Sequence, residues 1–460
     1  MVADQIPSER PIEFARSWRY GLVAALLALG LIAVWLFWGR AMQMAIGVTA
    51  AGIGLALWRY PEISAGMAGF LILSYIASFV PGSTTLFFAG VYVVLILRKL
   101  QSQELSWRYG NFFVPVLIFV GWYYSSILWA DTHMPWDGRH IIRILLTIFV
   151  VSELLKSTRT YLAFFIGAAF GLIFTSVSAI KTAVEFYTSG VADQIANTVT
   201  SIESSRFFGH WDDPNFMSMT IIAYLGGVMA LWRSKLNFWI RSLMFVAAVL
   251  SIAATLMSLS RTGLIGCVIV LGMMLAIERH RFVLAAVVAG LVAVLLTVLP
   301  VDLFGRVFEL LEGTDKSSSE RLGLLLSGWK LFWNSPIIGS GIGSFESDVM
   351  FLMPYLPYYF FSHNTFIDIA VDSGLIGLGL YIACLVFAFR GLSWRQWHVD
   401  PSDIPAMLNA GMRASLVATV FAVATMTTAG FIPFWVFFTM CAFFGVTVRN
   451  YRAGQTGRTS

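Results

Sequence analysis

The chain has 460 residues, of which 58% are hydrophobic and 12% are charged, and its formal net charge is +5. Soluble domains carry roughly a quarter charged residues, so this composition excludes a soluble globular protein. The positive excess calls for no nucleic-acid partner, because arginines and lysines that flank apolar segments account for it.

Apolar runs long enough to cross a hydrocarbon core of ~30 Å as helices recur along the chain. They predict an all-α, polytopic transmembrane helix bundle that forms a single domain over residues 1–460. Candidate spans fall at residues 20–38, 42–58, 63–79, 84–97, 111–129, 141–155, 160–180, 215–232, 242–257, 263–277, 282–299, 364–389, 412–431 and 434–448. The first two and the last two are separated by very short links, so each pair is either a hairpin or one broken helix, and the count is 12–14.

Positive charges predict the orientation of these spans. With a cytoplasmic N-terminus, most of the 30 lysines and arginines, Arg413 among them, fall in short cytoplasmic segments. An even number of spans then keeps both termini cytoplasmic. The first helix is expected to be uncleaved, because no small-residue cleavage site follows the first apolar run. The two longest loops, residues 181–213 and 301–363, become external.

The larger external loop contains predicted local structure. The segment "SSSERLGLLLSGWKLFWNSP" begins with Ser317 and Glu320 at capping-box spacing and stops at Pro336, which predicts a short amphipathic helix at the membrane surface. The following "IIGSGIGSF" lacks the strand and the Lys-Ser/Thr pair of a nucleotide-binding loop, so we interpret it as a tight turn.

Three arginines on the predicted external side are candidates for chemistry, because they depart from the charge rule: Arg206, Arg261 and Arg321. Guanidinium groups match phosphate oxygens in a bidentate fork, so together they could hold a diphosphate without a metal. In "SRFFGHWDDPNFMSM", Asp213 and Pro214 are explained as the start of a helix, which leaves His210 as a further candidate for substrate contact. A metal site made by His210 with its acidic neighbours is disfavoured, because adjacent loop residues rarely converge on one ion.

The segment "FFSHNTFIDIAVDSGLIGL" opens a predicted span with His363 and Asn364 and carries Asp368 and Asp372 inside it. If the helix starts at His363, that residue shares one stripe with Ala370, Gly374 and Gly377, where another helix can approach closely. The carboxylates must face the bundle interior or water. One interpretation is that the histidine caps the helix and the aspartates join helices; the other is a site in which His363 accepts a proton.

These residues resemble the O-antigen ligase and O-antigen polymerase family of bacterial envelope glycosyltransferases. His363-Asn364, nine residues, Gly374, two residues and Gly377 match the family's His-(Asn/Ser/Gln)-x9-Gly-x2-(Gly/Thr/Tyr) signature without a gap. The stretches "WKLFWNSPIIGSGIGSF", "GHWDDPNFMSM" and "LSRTGLIG" are similar to other family segments, so the resemblance covers roughly residues 120–390.

The resemblance implies a metal-independent, inverting glycosyltransferase with no cofactor, in the bacterial inner membrane with a periplasmic active site. Its donor is a glycan on undecaprenyl diphosphate, and its acceptor is lipid A core or a growing glycan. His363 corresponds to the general base, while Arg206 and Arg261 correspond to arginines at the donor diphosphate. Arg321, Asn364, His210 and Asp372 are expected to contact substrate; where the family more often has Glu, this chain has Asp372.

Several alternatives stay open at this level. A ligase transfers the finished glycan to lipid A core, whereas a polymerase extends a carrier-linked glycan or builds an exopolysaccharide; the histidine motif favours the ligase. Protein O-glycosylation is disfavoured, because such relatives usually carry an added external domain near the C-terminus. A transporter of lipid-linked glycan would explain Asp368 and Asp372, but such proteins tend to show internal repeats, and none is visible here.

Overall fold

A computed structural model of the chain describes residues 60–76, 83–102, 112–130, 139–188, 207, 209–211, 213–277, 316–354, 361–394 and 399–456. All regular secondary structure in these segments is helical. The helices are α1 (Pro61–Ser74), α2 (Ser83–Ser102), α3 (Phe113–Ser125), α4 (Arg139–Leu154), α5 (Thr158–Thr188), α6 (Pro214–Arg233), α7 (Phe238–Met257), α8 (Arg261–Ile277), α9 (Lys316–Phe332), α10 (Ser344–Leu352), α11 (Thr365–Arg390), α12 (Ile404–Val423) and α13 (Ile432–Thr456). A 3-10 turn, Ser126–Leu128, extends α3.

The predicted class is confirmed, since the chain is a polytopic helical bundle. In the described part of the chain, 7 helices are long and apolar enough to cross a membrane: α2, α5, α6, α7, α11, α12 and α13. Three shorter apolar helices, α1, α3 and α8, accompany them. The predicted spans 20–38, 42–58 and 282–299 lie outside the described residues, whereas each other predicted span overlaps a helix.

The predicted span at 412–431 is displaced from its helix. Asp403 caps α12 by accepting the Ala406 N–H at 3.0 Å, so the helix starts well before the predicted boundary and ends at Val423. Arg413 therefore lies inside α12 and is 1% exposed, and its prediction as a cytoplasmic loop charge is wrong. Its guanidinium carbon lies 5.8 Å from the Trp394 ring centroid, within the range of a cation–π contact.

The centre of the bundle is α6, which packs against α5, α7, α8 and α12. Small residues permit the closest of these contacts: a Cβ atom on Gly226 of α6 would lie 2.2 Å from the carbonyl oxygen of Gly411 in α12. Helix α11 packs on α3 and α13, and the short helices α9 and α10 lie against it. Helix α9 occupies the position predicted for the amphipathic helix.

Helix α11 differs from the continuous helix predicted from His363. It begins at Thr365, after an Asn364 N-cap, and it is broken at Gly374, whose φ of 67° and ψ of −168° are non-helical. The predicted stripe through His363, Ala370, Gly374 and Gly377 is therefore wrong. The 100° periodicity on which it rested holds only within an unbroken helix.

Candidate active site

His363 occupies a short, strongly held turn immediately before α11. Its φ of 56° is left-handed, which is uncommon for a residue other than glycine. On either side, the Ser362 hydroxyl accepts the Asn364 N–H at 2.8 Å and donates to the Asn364 carbonyl at 2.8 Å. The Asn364 side-chain oxygen caps the helix, accepting the N–H groups of Phe366 and Ile367 at 3.0 and 3.2 Å. The backbone around the histidine is thus fixed by its own neighbours.

Asp368 and the turn after α12 hold this segment in the bundle. One Asp368 oxygen accepts the Ser362 N–H at 3.3 Å, and the other accepts the Thr427 hydroxyl. Thr365 donates both its N–H and its hydroxyl to the Met426 carbonyl, at 3.1 and 2.6 Å. Asp368 therefore anchors the His363 turn to the end of α12, a structural use of a buried carboxylate.

Two charged side chains from other helices act on the His363 ring. Burial, and then the positive charge of Arg321, lower the pKa of His363 from 6.5 to about 4, against an opposing contribution from Asp213. Arg321 belongs to α9, and Asp213 is the N-cap of α6, where it accepts the N–H groups of Asn215 and Phe216. A neutral imidazole, a guanidinium and a carboxylate thus come together from three separate parts of the chain.

Arg261 begins α8 directly after a rigid turn on the same side of the bundle. Leu259 in that turn has a left-handed φ of 52°. The Ser260 hydroxyl donates to the Asn215 side chain at 2.8 Å, and the hydroxyls of Thr262 and Thr425 lie 3.0 Å apart. The turn is therefore tied both to the start of α6 and to the end of α12.

The threonines in the turn directly after α12 connect the two halves of the site. Thr425 contacts Thr262 beside Arg261, whereas Thr427 contacts Asp368 and the hydroxyl of Thr428 lies 2.9 Å from that of Thr365 beside His363. This turn was not predicted as a separate element, because its residues fall within the apolar span predicted at 412–431. The repeated hydroxyl residues of "TMTTAG" were the available signal. We call the surface made by Asp213, Arg261, His363 and residues 425–428 the His363 face.

Asp372 lies deeper in α11 and is 4% exposed. One carboxylate oxygen accepts the Gly343 N–H at 3.1 Å and the Tyr123 hydroxyl at 3.0 Å, and the other accepts the Phe345 N–H at 3.2 Å. These bonds join α3, the start of α10 and α11. The contacts favour a positioning role for Asp372 over the predicted contact with substrate.

The glycine-rich segment before α10 fills the break in α11. At the break, the N–H groups of Leu375 and Ile376 donate to the carbonyls of Pro336 and Ile337, at 2.9 and 3.3 Å. In the opposite direction, the Ser340 N–H donates to the Val371 carbonyl at 2.9 Å. The break in α11 would otherwise leave backbone N–H and carbonyl groups without hydrogen-bond partners, and this segment supplies those partners. The segment is more than the tight turn that was predicted, and we call residues 336–345 the glycine latch.

The remaining predicted residues belong to the segment predicted to be the first external loop. Arg206 lies outside the described residues, but its neighbour Phe207 donates its N–H to the Met257 carbonyl at 3.3 Å, beside the turn that carries Arg261. The His210 Nε2 lies 2.6 Å from the Ser74 carbonyl at the end of α1, and its ring centroid is 5.2 Å from that of Phe174. Burial lowers the pKa of His210. These contacts give His210 a docking role between α1 and α5.

Glu346 in α10 is a titratable group that was not among the residues predicted for the site. Burial, and then the Asp368 carboxylate, raise the pKa of Glu346 from 4.5 to about 7. It therefore exchanges a proton near neutral pH close to the segment that carries His363.

Within the described residues, no group of three His, Cys, Asp or Glu side chains is arranged to hold a metal ion.

Residues 246–382 match a family model described as O-antigen ligase. The matched region extends from within α7 to within α11 and includes Arg261, Arg321 and His363, whereas Arg206 and His210 precede it. No curated protein sequence matches the chain. The family match confirms the predicted resemblance.

Proposed function

We propose that this chain, whose residues 246–382 match the O-antigen ligase family model, transfers a glycan from undecaprenyl diphosphate to an acceptor hydroxyl on the periplasmic face of the inner membrane. The acceptor that we favour is lipid A core, as in a ligase. The observation that supports a transferase most directly is that Arg321 and Asp213 both act electrostatically on His363, while the threonines after α12 link the His363 turn to the turn that presents Arg261.

The proposed reaction is one displacement at the anomeric carbon. The acceptor oxygen forms a bond to this carbon, the bond to the diphosphate oxygen breaks, and its electron pair stays on the diphosphate. His363 takes the proton of the acceptor hydroxyl. The negative charge that grows on the leaving diphosphate is stabilised by Arg261, Arg321 and Arg206, so neither a metal nor another cofactor takes part. Attack from the face opposite the leaving group inverts the anomeric configuration.

The low pKa of His363 is compatible with a base that acts only in the loaded enzyme. A pKa of about 4 keeps the ring neutral and able to accept a proton, but a base works best when its pKa is near the working pH. Since Arg321 helps to lower this pKa, a diphosphate bound beside Arg321 offsets its charge and raises the pKa of His363. Donor binding therefore makes the histidine a stronger base.

The other predicted contacts fit supporting roles in this mechanism. Asn364 and Asp372 use their side-chain oxygens on backbone and tyrosine donors, and His210 docks the first external loop. We therefore propose that these residues position the chain around His363. Glu346 is the nearby carboxyl group with a pKa of about 7, but we assign it no step.

The proposal is tested by comparing a strain lacking this protein with its parent, using a gel of surface glycans and an analysis of carrier-linked glycan. A ligase is expected to leave lipid A core without repeats while full polymers accumulate on the carrier. Cores with a single repeat and no ladder would identify a polymerase, and loss of a secreted polysaccharide alone would identify an exopolysaccharide enzyme. Movement of carrier lipid across sealed vesicles, without glycan transfer, would contradict enzymatic function.

Replacing Arg321 by Gln is expected to raise the pKa of His363 in the free enzyme, because a nearby positive charge is removed. Activity requires the neutral ring, so the acid limb of kcat/KM moves to higher pH, by roughly half a pH unit or more. Asp213→Asn, which keeps an oxygen for the helix cap, is expected to move the limb to lower pH. Arg321→Lys is the control that keeps the charge. If the acid limb of kcat/KM stays at the same pH in both Arg321→Gln and Asp213→Asn, the proposed electrostatic effect of these two residues on the pKa of His363 is contradicted.

Arg261→Lys and Arg206→Lys are each expected to lower kcat/KM by at least ~10-fold although the charge is kept, because an ammonium group lacks the bidentate fork. Arg241→Lys, in α7, is the matched control; the Arg241 Nε donates to the Trp232 carbonyl at 3.1 Å. Rates and donor affinities equal to those of the control would make Arg261 and Arg206 structural residues.

A further inference from the structure

A cleft of about 290 Å³ lies where α11 and α13 reach the side of the bundle opposite the His363 face. Both helices begin at the His363 face, α11 after His363 and α13 after the turn that follows Thr428, so Arg390 and Arg449 lie towards their far ends. With a rise of 1.5 Å per residue, the unbroken part of α11 after Gly374 places Arg390 ~24 Å beyond the break, and α13 places Arg449 ~25 Å beyond its first residue. The cleft is therefore separate from the proposed transfer site.

Two exposed arginines line this cleft, Arg390 and Arg449. Ion pairs in the described part of the chain involve Glu153 and Glu185, and none includes either arginine. Arg390 ends α11, where a cation offsets the helix dipole. Arg449 has no such explanation, because α13 continues to Thr456.

A close crossing of the backbone brings the two arginines to one place. The Gly445 N–H in α13 donates to the Gly391 carbonyl at 2.8 Å, directly after α11. Arg449 is one helical turn beyond Gly445 on the same face, and a Cβ atom on Gly445 would lie 3.9 Å from the Arg449 Nη1. The crossing thus sets two guanidinium groups at the mouth of one cleft.

The wall of the cleft is aromatic and includes Phe112, Phe387 and Phe443. The rings of Phe112 and Phe443 meet edge to face, with centroids 6.1 Å apart. Free phosphate would contact only the arginines, and a neutral lipid would contact only the phenylalanines. A ligand with an anionic head group and an acyl chain can contact both the arginines and the phenylalanines.

We propose that this cleft is a binding site for an anionic phospholipid. The phosphate group lies between Arg390 and Arg449, and an acyl chain packs over Phe387, with the buried rings of Phe112 and Phe443 at the base of the cleft. A lipid bound there joins the ends of α11 and α13 to the start of α3. Binding does not depend on glycan transfer.

The test uses the full chain in phosphatidylcholine vesicles that contain increasing fractions of phosphatidylglycerol, with the Tm of unfolding as the readout. We expect phosphatidylglycerol to raise the Tm of the parent protein. Arg390→Gln and Arg449→Gln are each expected to raise the fraction needed for half of this effect about fivefold, since a basic residue near anionic lipid contributes ~1 kcal/mol. In phosphatidylcholine alone, Arg449→Gln is expected to keep the parental Tm, and Arg390→Gln is expected to lose only the small contribution of a cation at a helix C-terminus.

Arg233→Gln is the matched control, because Arg233 ends α6 on the same side of the bundle, over the Trp232 ring. It is expected to respond to phosphatidylglycerol as the parent does. An equal response of all variants would show a general charge effect and overturn the site. Stabilisation by inorganic phosphate in phosphatidylcholine vesicles, lost in the same two variants, would identify a site for free phosphate instead. Absence of any phosphatidylglycerol effect would also overturn the proposal.

Discussion

Replacing His363 by Asn is expected to lower the turnover number by ~10²- to 10⁴-fold, the usual contribution of a general base. Asparagine tolerates the left-handed backbone that His363 adopts at a φ of 56°, but it cannot accept a proton. The measurement is glycan transfer by purified protein from carrier-linked donor to acceptor, with Tm and donor affinity determined alongside. The substitution isolates proton transfer from folding.

Two further observations make this test specific. His363→Ala removes the ring without supplying an amide, so a comparable loss in both variants indicates loss of the base and not interference by the new side chain. The pH profile of the remaining kcat/KM is also expected to lose its acid limb, because the imidazole of His363, which titrates there, is absent. Normal Tm together with most of the parental turnover would remove His363 from the mechanism.

Replacing Gly374 by Ala is expected to destabilise the protein by ~3 kcal/mol or more. A φ of 67° with a ψ of −168° lies in a region that is essentially restricted to glycine and costs other residues ~1–3 kcal/mol. The added Cβ would also lie 2.2 Å from the Ile337 carbonyl oxygen, which belongs to the glycine latch. Unfolding of the purified protein in detergent measures the loss.

Gly379→Ala is the matched control for this substitution. Gly379 lies in the same helix, and a Cβ atom there would meet nothing within 4 Å. Since alanine favours helix by ~1 kcal/mol over glycine, this variant is expected to be neutral or slightly more stable. Equal Tm and activity for the two variants would show that the break at Gly374 needs no glycine.

The break in α11 matters for the proposed chemistry because it connects two functional segments. The glycine latch follows α9, which carries Arg321, and it is fastened to α11, which His363 precedes. Asp372 completes this connection by binding Gly343 and Phe345 on one side and Tyr123 on the other. These contacts hold the segment that follows α9 against α11, and the proposed electrostatic role of Arg321 requires such a fixed framework.

The sequence alone determined the class of the protein, most of its described helices and its resemblance to the O-antigen ligase family. Apolar runs specify membrane helices because lipid leaves the backbone no other partners, so α5, α6 and α7 fall where hydropathy placed them. The histidine–glycine signature and the Ser-Arg turn identified the family region that the match at residues 246–382 confirms. These are local properties, which a short stretch of residues carries by itself.

Only the tertiary structure decided which polar groups meet. Asp368 and Asp372 are four residues apart and look alike in the sequence, yet one holds Ser362 and Thr427 while the other holds the glycine latch. Arg413 is an ordinary loop charge by pattern, but α12 begins early enough to bury it. The pKa of His363 depends on Arg321 and Asp213, which are distant in the chain. Hydrogen bonds and charges act through space, so their partners are set by how the helices pack and where α11 breaks.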